Sequence, residues 1–337
     1  MKEYLVTRAL RILFSFVYLL SFIRIWVNFD GIFSIISELL DFLFLSSNYQ
    51  AFMIIGKPSL LIVILIIIMA IGYTVHKKRK YLLIIIALLT INNFQGYIRP
   101  YAIVSYIDVG QGDATLIALP FNRGNILIDT GGNISYDVGK NIVFPVVSSY
   151  GIRSLDAVIL THDDYDHVGG YESLSKMMFI KKTIRDKNAE YRAKDFVLYD
   201  LLADYQFDEG NANSLTAYFE IYGTTFLVLG DIGVNQEGVL VSDNGNLHVD
   251  VLKLAHHGSK TSSSDKLLQI TKPTLAIISA GRNNRYRHPA IEVTKRLDSY
   301  LIPYLNTGYS GAIEINVFAS GYFVHTTRRE FAIIINR

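Results

Sequence analysis

The longest feature in the pattern of polar and apolar positions is a run without charge. From Pro58 to His76 no Asp, Glu, Lys or Arg occurs, and Leu60 to Ile71 is apolar without interruption. At 1.5 Å per residue such a helix reaches about 28 Å, close to the hydrocarbon thickness of a bilayer. Tyr81–Ile98 is a second charge-free stretch, weakened near its end by Asn92, Asn93 and Gln95. Ile12–Phe29 is a third, interrupted by Arg24, whose long side chain can snorkel. Gly31–Leu45 behaves differently. Ser34, Ser37, Glu38 and Asp41 recur at helical spacing and leave Ile32, Ile35, Ile36, Leu39 and Leu43 on the other side. The pattern predicts three membrane spans and one interfacial helix in residues 1–98. Several apolar stretches, with no small-residue cleavage pattern after the first, argue against a signal peptide.

After Arg99 the pattern changes to short β-rich runs broken by Gly, Asn and Asp. Strands are predicted at Ile103–Val109, Ala114–Ala118, Asn125–Asp129, Ala157–Leu160, Leu215–Ile221 and Thr225–Leu229. Four more follow at Val249–Leu254, Leu275–Ser279, Ala312–Val317 and Tyr322–Thr326. Helices are predicted at Val138–Tyr150, Tyr171–Met178, Asn235–Val241, Asp265–Thr271 and Ala290–Tyr300. Many short strands with helices between them indicate an α/β protein with layered sheets.

Charge sharpens the division. Residues 1–98 carry nine Lys/Arg against four Asp/Glu, and the remainder twenty-three against twenty-six, giving +5 and −3. Half of the 337 residues are hydrophobic and 18% are charged, which excludes a disordered chain. The absence of cysteine removes disulfides, thiolate metal sites and cysteine nucleophiles. Lys2, Arg8 and Arg11 precede the first predicted span, and Lys77–Lys80 lies between the second and third. Both clusters prefer the cytoplasm, so the positive-inside rule predicts a multi-pass protein of the cell membrane whose domain after Arg99 is extracellular.

The chemistry gathers at strand ends. Ala157–Leu160 runs into Thr161-His162-Asp163-Asp164-Tyr165-Asp166-His167, then Gly169-Gly170. Packed carboxylates repel unless they share a cation, and His with Asp offers nitrogen and oxygen donors to a divalent metal. A second strand ends in Gly230-Asp231; Asp there also suits a plain turn. A third ends in His256-His257-Gly258-Ser259, and a fourth in Gly281 through Pro289, with Arg282, Asn284, Arg285, Tyr286, Arg287 and His288. Five of the eight histidines fall in these segments.

These residues resemble the metallo-β-lactamase-like domain of the ComEC competence-protein family. The resemblance is carried by Ile107-Asp108-Val109-Gly110-Gln111-Gly112-Asp113, Ile128-Asp129-Thr130-Gly131-Gly132, and the His162–His167 motif. Asn213-Ser214-Leu215, Leu229-Gly230-Asp231, His256-His257-Gly258-Ser259, and Asn284 with Tyr286-Arg287-His288-Pro289 follow in the family's order, from about Tyr101 to Thr327. The resemblance implies an αββα four-layer sandwich preceded by a helical transmembrane region, with a binuclear metal site at one edge of the sheets. Family members carry a long multispanning region, usually with an OB-like domain before it. Only residues 1–98 precede the domain here, so a short anchored form without the DNA channel is expected. Asp164 stands where the wider HxHxDH motif has its second His, a change shared by this family.

By the same resemblance His162 and Asp164 would hold one metal, Asp166, His167 and His257 the other, and Asp231 would bridge both. Neighbouring side chains on a strand point to opposite faces, so His256 and His257 cannot both coordinate equally, and His257 is taken as the ligand. Asp129, Asn213 and Ser214 would orient the ligands. The donor set suits two Zn²⁺ or Mn²⁺ ions sharing an activated hydroxide. Lys260, Arg282, Asn284, Arg285 and Tyr286 are candidates for binding a phosphate, with Arg287 beside them. Asp166, His256 and His288 are the catalytic candidates, the two histidines for transition-state stabilisation or protonation of the leaving oxygen. The expected activity is a membrane-anchored phosphodiesterase or nuclease acting on DNA in competence, or on a phosphodiester of the envelope. The alternative is a non-catalytic accessory of the DNA-uptake machinery that binds DNA and hands it on.

Overall fold

Two local signals bound the apolar run from Pro58. The Ser59 hydroxyl accepts from the Ile62 N–H at 3.3 Å and caps a helix over Leu60–His76, and Lys77 closes it in the left-handed region at φ 52°. The computed structural model describes residue 54 and residues 56–207, 210–328 and 333–336, so the first predicted span and the interfacial helix lie outside the described residues. Contacts divide the chain into two units, Met1–Asn93 and Phe94–Arg337.

In the first unit, Leu60–His76 is followed by a helix at Arg79–Asn93. Leu60, Leu61, Ile68, Leu83 and Ile86 are exposed on these two helices. Among the described residues no helix is long and apolar enough to cross a membrane. The stretch expected to be one span, Tyr81–Ile98, is divided. Its helix stops at Asn93, the buried Asn92 amide donates to the Gly56 carbonyl at 2.8 Å, and a separate turn of helix, Gln95–Ile98, opens the second unit.

The second unit contains β1 (Ala102–Tyr106), β2 (Thr115–Ala118), β3 (Asn125–Ile128), β4 (Ser154–Leu155), β5 (Ala157–Ile159), β6 (Phe179–Ile180) and β7 (Thr183–Ile184). It continues with β8 (Tyr191–Ala193), β9 (Phe196–Asp200), β10 (Ala217–Ile221), β11 (Thr224–Val228), β12 (Val251–Lys253), β13 (Leu275–Ile278) and β14 (Tyr304–Asn306). β15 (Ile313–Phe318), β16 (Gly321–Thr326) and β17 (Ile333–Asn336) complete it. The first sheet has the order β17-β16-β15-β1-β2-β3-β5-β7, and the second β14-β13-β12-β11-β10-β9-β8. β4 and β6 form a separate parallel pair.

Period-two alternation explains the layering. Val104, Tyr106, Ile117, Ile126, Ile128 and Ile159 of the first sheet share one apolar core with Phe219, Phe226, Val228, Val251 and Ile277 of the second. Phe219 and Phe226 are cross-strand partners, with parallel rings 4.9 Å apart. The other face of the second sheet, with Leu227, Leu252 and Ile278, packs against the helices Val234–Asp243, Asp265–Thr271 and Ile291–Ser299 through Leu240, Leu268, Val293 and Leu297. On the first sheet's outer side Leu116, Leu127 and Val158 are buried, as are Val143, Phe144 and Val147 of the segment Gly139–Ser149 and Leu174 of the helix Tyr171–Met177. Two sheets with helices outside them give the expected αββα order. The parallel strands β3, β5, β11, β12 and β13 all end at the same edge as the motif residues, which is where the site lies.

Candidate metal centre

The loop after β5 reaches its position because two glycines let backbones approach. A Cβ on Gly112 would fall 2.3 Å from the Asp166 carbonyl oxygen, and that glycine holds φ +130°. A Cβ on Gly132 would fall 1.8 Å from the Tyr165 carbonyl oxygen. Gly132→Ala must therefore push back the loop that carries Asp164, Asp166 and His167. Overpacking of this kind costs about 1–3 kcal/mol. The melting temperature should fall by about 2–12 °C in a thermal melt, since each kcal/mol moves a unit of this size by about 2–4 °C. An unchanged melt would mean the loop has room to move.

Three imidazoles and two carboxylates converge on the edge. His167 Nε2 is 3.3 Å from Asp231 Oδ1, and His162 Nε2 and His257 Nε2 are 4.0 and 3.6 Å from Asp231 Oδ2. His257 Nε2 also lies 3.1 Å from Asp166 Oδ2. Asp231 is the hub. Donor atoms of His162, His167 and Asp231 lie together closely enough to hold one cation, and so do those of Asp166, His167 and His257. His167, expected with one metal only, lies in both groups. Asp164 is 3.7 Å from His162 Nε2, but its side chain is 54% exposed and it stands at the mouth rather than inside either group.

The other ring nitrogens are already engaged, which fixes where the free ones point. Asp129 Oδ2 accepts from His167 Nδ1 at 2.7 Å and from the Thr161 hydroxyl at 2.7 Å, while its Oδ1 takes the Thr161 N–H at 2.8 Å. With its proton given to Asp129, the Thr161 oxygen accepts from His162 Nδ1 at 3.1 Å. His257 Nδ1 donates to the Ser279 carbonyl at 2.9 Å. All three rings thus carry their proton at the back and direct Nε2 into the cluster. His162 Nε2, His167 Nε2 and Asp231 Oδ1 are buried and have no hydrogen-bond partner among the described residues. Buried polar atoms left this way are costly, and a divalent cation satisfies them. The residues fit the metal that the fold implies.

The cluster's electrostatics agree. Burial pulls the His257 ring down, but Asp231 and Asp113 outweigh it and raise its pKa to about 9. Burial likewise opposes charge on His167, and Asp231 and Asp129 overcome it, holding the ring well above its ordinary value. Asp231 is disfavoured by burial, yet His167 and His257 keep it well below the carboxylate range. His162 is pushed down by burial and by His167. The carboxylates draw positive charge into the pocket, and a bound cation would take the place of those protons.

Asp113 closes the Ile107–Asp113 motif with no role assigned from sequence, and Lys253 is a participant that sequence reasoning passed over. Lys253 is wholly buried in β12 and its ammonium pairs with Asp113. Asp113 Oδ1 is 3.7 Å from His257 Nδ1, and its Oδ2 is 3.8 Å from His167 Nδ1. Burial would raise Asp113, but Lys253, with His257 and His167, holds it below the carboxylate range.

The rim differs from expectation in two respects. His256 and His257 do not alternate on a strand; both sit at positive φ, 50° and 56°, in the turn Ala255–Gly258 after β12. That turn buries His257 and leaves the His256 side chain 33% exposed, 3.9 Å from Asp231 Oδ2. Asn284 is not offered to a substrate. Its amide donates to the Gly281 and His288 carbonyls at 2.8 and 2.5 Å and accepts from the His288 N–H at 2.9 Å, so it braces its own loop. Asn213 clasps the Phe207 backbone, and Ser214 accepts the Asp231 N–H at 3.2 Å. Arg285 lies 4.6 Å over the Tyr286 ring, Tyr286 stacks on His288 at 5.7 Å, and His288 stands 5.8 Å from His256. Arg282 lies 5.7 Å over Tyr309, and Lys260 and Arg287 are exposed.

Comparison with known proteins follows the same outline. The model of the metallo-beta-lactamase superfamily matches residues 107–200. ComE operon protein 3 of Bacillus subtilis is 32% identical over 251 residues, which are 63% of this chain and 32% of that protein. Recombination protein 2 of Haemophilus influenzae is 31% identical over 265 residues, 74% of this chain and 33% of that protein. Competence protein ComA of Neisseria gonorrhoeae is 32% identical over 254 residues, 70% and 36% of the two chains. The chain spans about a third of the length of these curated relatives. Sequence motifs, fold and site converge: residues 107–200 match the metallo-beta-lactamase superfamily, and the chain is similar to ComEC-family competence proteins over about a third of their length.

Proposed function

We propose that this chain is a membrane-anchored, metal-dependent phosphodiesterase or nuclease, acting on DNA or on a phosphodiester of the envelope. One observation carries the catalytic reading: three imidazoles, each with Nδ1 engaged, turn buried Nε2 atoms toward Asp231. His162 and Asp231 would hold one divalent ion, Zn²⁺ or Mn²⁺, with Asp164 at its mouth, and Asp166, His167, His257 and Asp231 a second. Ions held there lower the pKa of water and offset charge on a phosphoryl oxygen. The chain's own groups do the rest. His256 and His288, at the rim, are placed to give a proton to a leaving oxygen. Arg282, Arg285 and Arg287 supply cations at the mouth for the flanking phosphates, and Tyr286 orients Arg285 through its hydroxyl. Anchoring rests on the charge-free run from Pro58 and the exposed Leu and Ile side chains of the helices after it. The distribution of Lys and Arg supports a position of the domain outside the cell.

The test uses the full chain purified in detergent, loaded with Mn²⁺ or Zn²⁺. Elemental analysis should approach about two ions per chain, as a shared carboxylate allows. The loaded chain should cleave single-stranded DNA or a simple phosphodiester. Failure to take up metal sinks the catalytic reading. Full uptake with DNA binding and no turnover would favour the accessory role.

A further inference from the structure

The second unit has two ends. The metal cluster sits where β3 and β5 finish, at Asp129 and Thr161–His167. At the other end, where the same strands begin at Asn125 and Ala157, the surface has a different character. Phe94, Tyr97, Ile98, Phe121 and Phe179 are all exposed there, Phe179 to 69% and Ile98 to 61%.

Direct contacts tie these residues together. The Phe94 and Tyr97 rings are 5.9 Å apart, and the Arg153 guanidinium lies 5.8 Å over Phe94. Ser154, next in sequence, is the β4 partner of Phe179 on β6. The turn of helix Gln95–Ile98 packs on Pro120–Asn122, where a Cβ on Gly96 would lie 3.8 Å from Asn122 Oδ1. Basic groups accompany the rings. Arg153, Lys181 and Lys182 are exposed, and Lys181 reaches Asp156 at 2.6 Å.

Isolated exposed apolar residues are ordinary, but five large ones gathered with three cations are not. Aromatic side chains with Lys and Arg around them match the headgroup level of a bilayer, where rings take the apolar boundary and cations the anionic phosphates. The patch also begins at Phe94, one residue after the apolar helix Arg79–Asn93 ends in sequence.

We infer that this end of the domain rests on an anionic lipid surface and that the metal centre opens away from it. Four to five strand residues at about 3.3 Å each separate the two ends by roughly 13–17 Å. The substrate then arrives from the aqueous side and is not a headgroup of the supporting bilayer. This inference rests on the anchoring proposed above.

The chain contains no cysteine, so single cysteines can be labelled cleanly. Full-length Phe179→Cys, Ile98→Cys and Ile134→Cys, each carrying an environment-sensitive fluorophore, are placed in vesicles of phosphatidylcholine and phosphatidylglycerol. Ile134 is exposed in the loop after β3, at the end that bears the metal cluster. Labels at 179 and 98 should be quenched severalfold more by shallow lipid-borne quenchers than the label at 134, and shielded from aqueous iodide. Lowering the phosphatidylglycerol content should weaken that difference. Equal iodide access at 179, 98 and 134, in vesicles that retain the chain through an alkaline wash, overturns the inference and leaves the anchoring intact. Loss of the chain in the wash overturns both.

Discussion

Replacing Asp231 by Asn is expected to abolish hydrolysis and to empty the metal centre while leaving both sheets folded. Asp231 is buried, and its two oxygens face His162, His167, His256 and His257 within 3.3–4.0 Å. An amide keeps the volume and removes the charge that two cations would share. It also presents an N–H where a cation needs a lone pair. The loss in rate should reach at least about 100-fold, the scale seen when the surroundings of a metal site are damaged. Bound metal should fall below the wild-type content in the same preparation. The backbone around it should hold, because the Asp231 N–H still reaches Ser214 and Gly230 still accepts from the His256 N–H at 3.0 Å. Far-ultraviolet circular dichroism checks the fold, and elemental analysis the metal. Full activity in Asp231→Asn would make this residue the turn former that its Gly-Asp setting also suits.

Much of this centre could be read from the chain because its donors lie at the ends of runs that announce themselves. Val158 and Ile159 are buried on both faces, so the strand reads as an apolar run and the His and Asp residues after it stand out. The helix Asp265–Thr271 matches its sequence-predicted limits, with Ser264 accepting from the Leu267 N–H as its cap. Residues whose role depends on distant partners were not legible. Lys253 closes a three-residue strand in a position that, from sequence, belongs to water; only the fold brings Asp113, 140 residues earlier, to meet it. Asn284 looks like a ligand-binding amide until its own loop is seen to use it. The strands β8 and β9 escaped notice because Arg192, Lys194, Asp195 and Asp200 break their apolar pattern. They lie at an edge of the second sheet, where one face stays wet. β4, β6 and β7 are two residues each, too short for alternation to register.

The membrane portion shows the same limit from another side. Pro58–His76 was legible as apolar, and its helix forms, but the Ser59 cap and the left-handed Lys77 hold it to seventeen residues. In Tyr81–Ile98 the asparagines counted as a weakness of one span. Their use is specific: Asn92 reaches back to Gly56, and the helix ends one residue later. Hydropathy alone carries no information about such a contact.

The pair beneath the metal centre supplies the largest stability effect to be expected from one substitution. Lys253→Met keeps the length and removes the ammonium, leaving Asp113 buried with an uncompensated charge. Breaking a buried pair from one side costs about 3–5 kcal/mol. Measured by calorimetry on the metal-free chain, the melting temperature should fall by about 6–20 °C at roughly 2–4 °C per kcal/mol. Asp113→Asn in the Lys253→Met background should recover part of the loss, since the isolated charge is then gone. The two single changes and the double change form a cycle whose coupling isolates the pair from the packing of the methionine. The recovery should be incomplete, because Asp113 also lies 3.7 and 3.8 Å from the Nδ1 atoms of His257 and His167 and its charge favours theirs. A double variant no more stable than Lys253→Met would show that the stranded Asp113 charge is not what destabilises the single variant and that the ion pair contributes nothing to the fold.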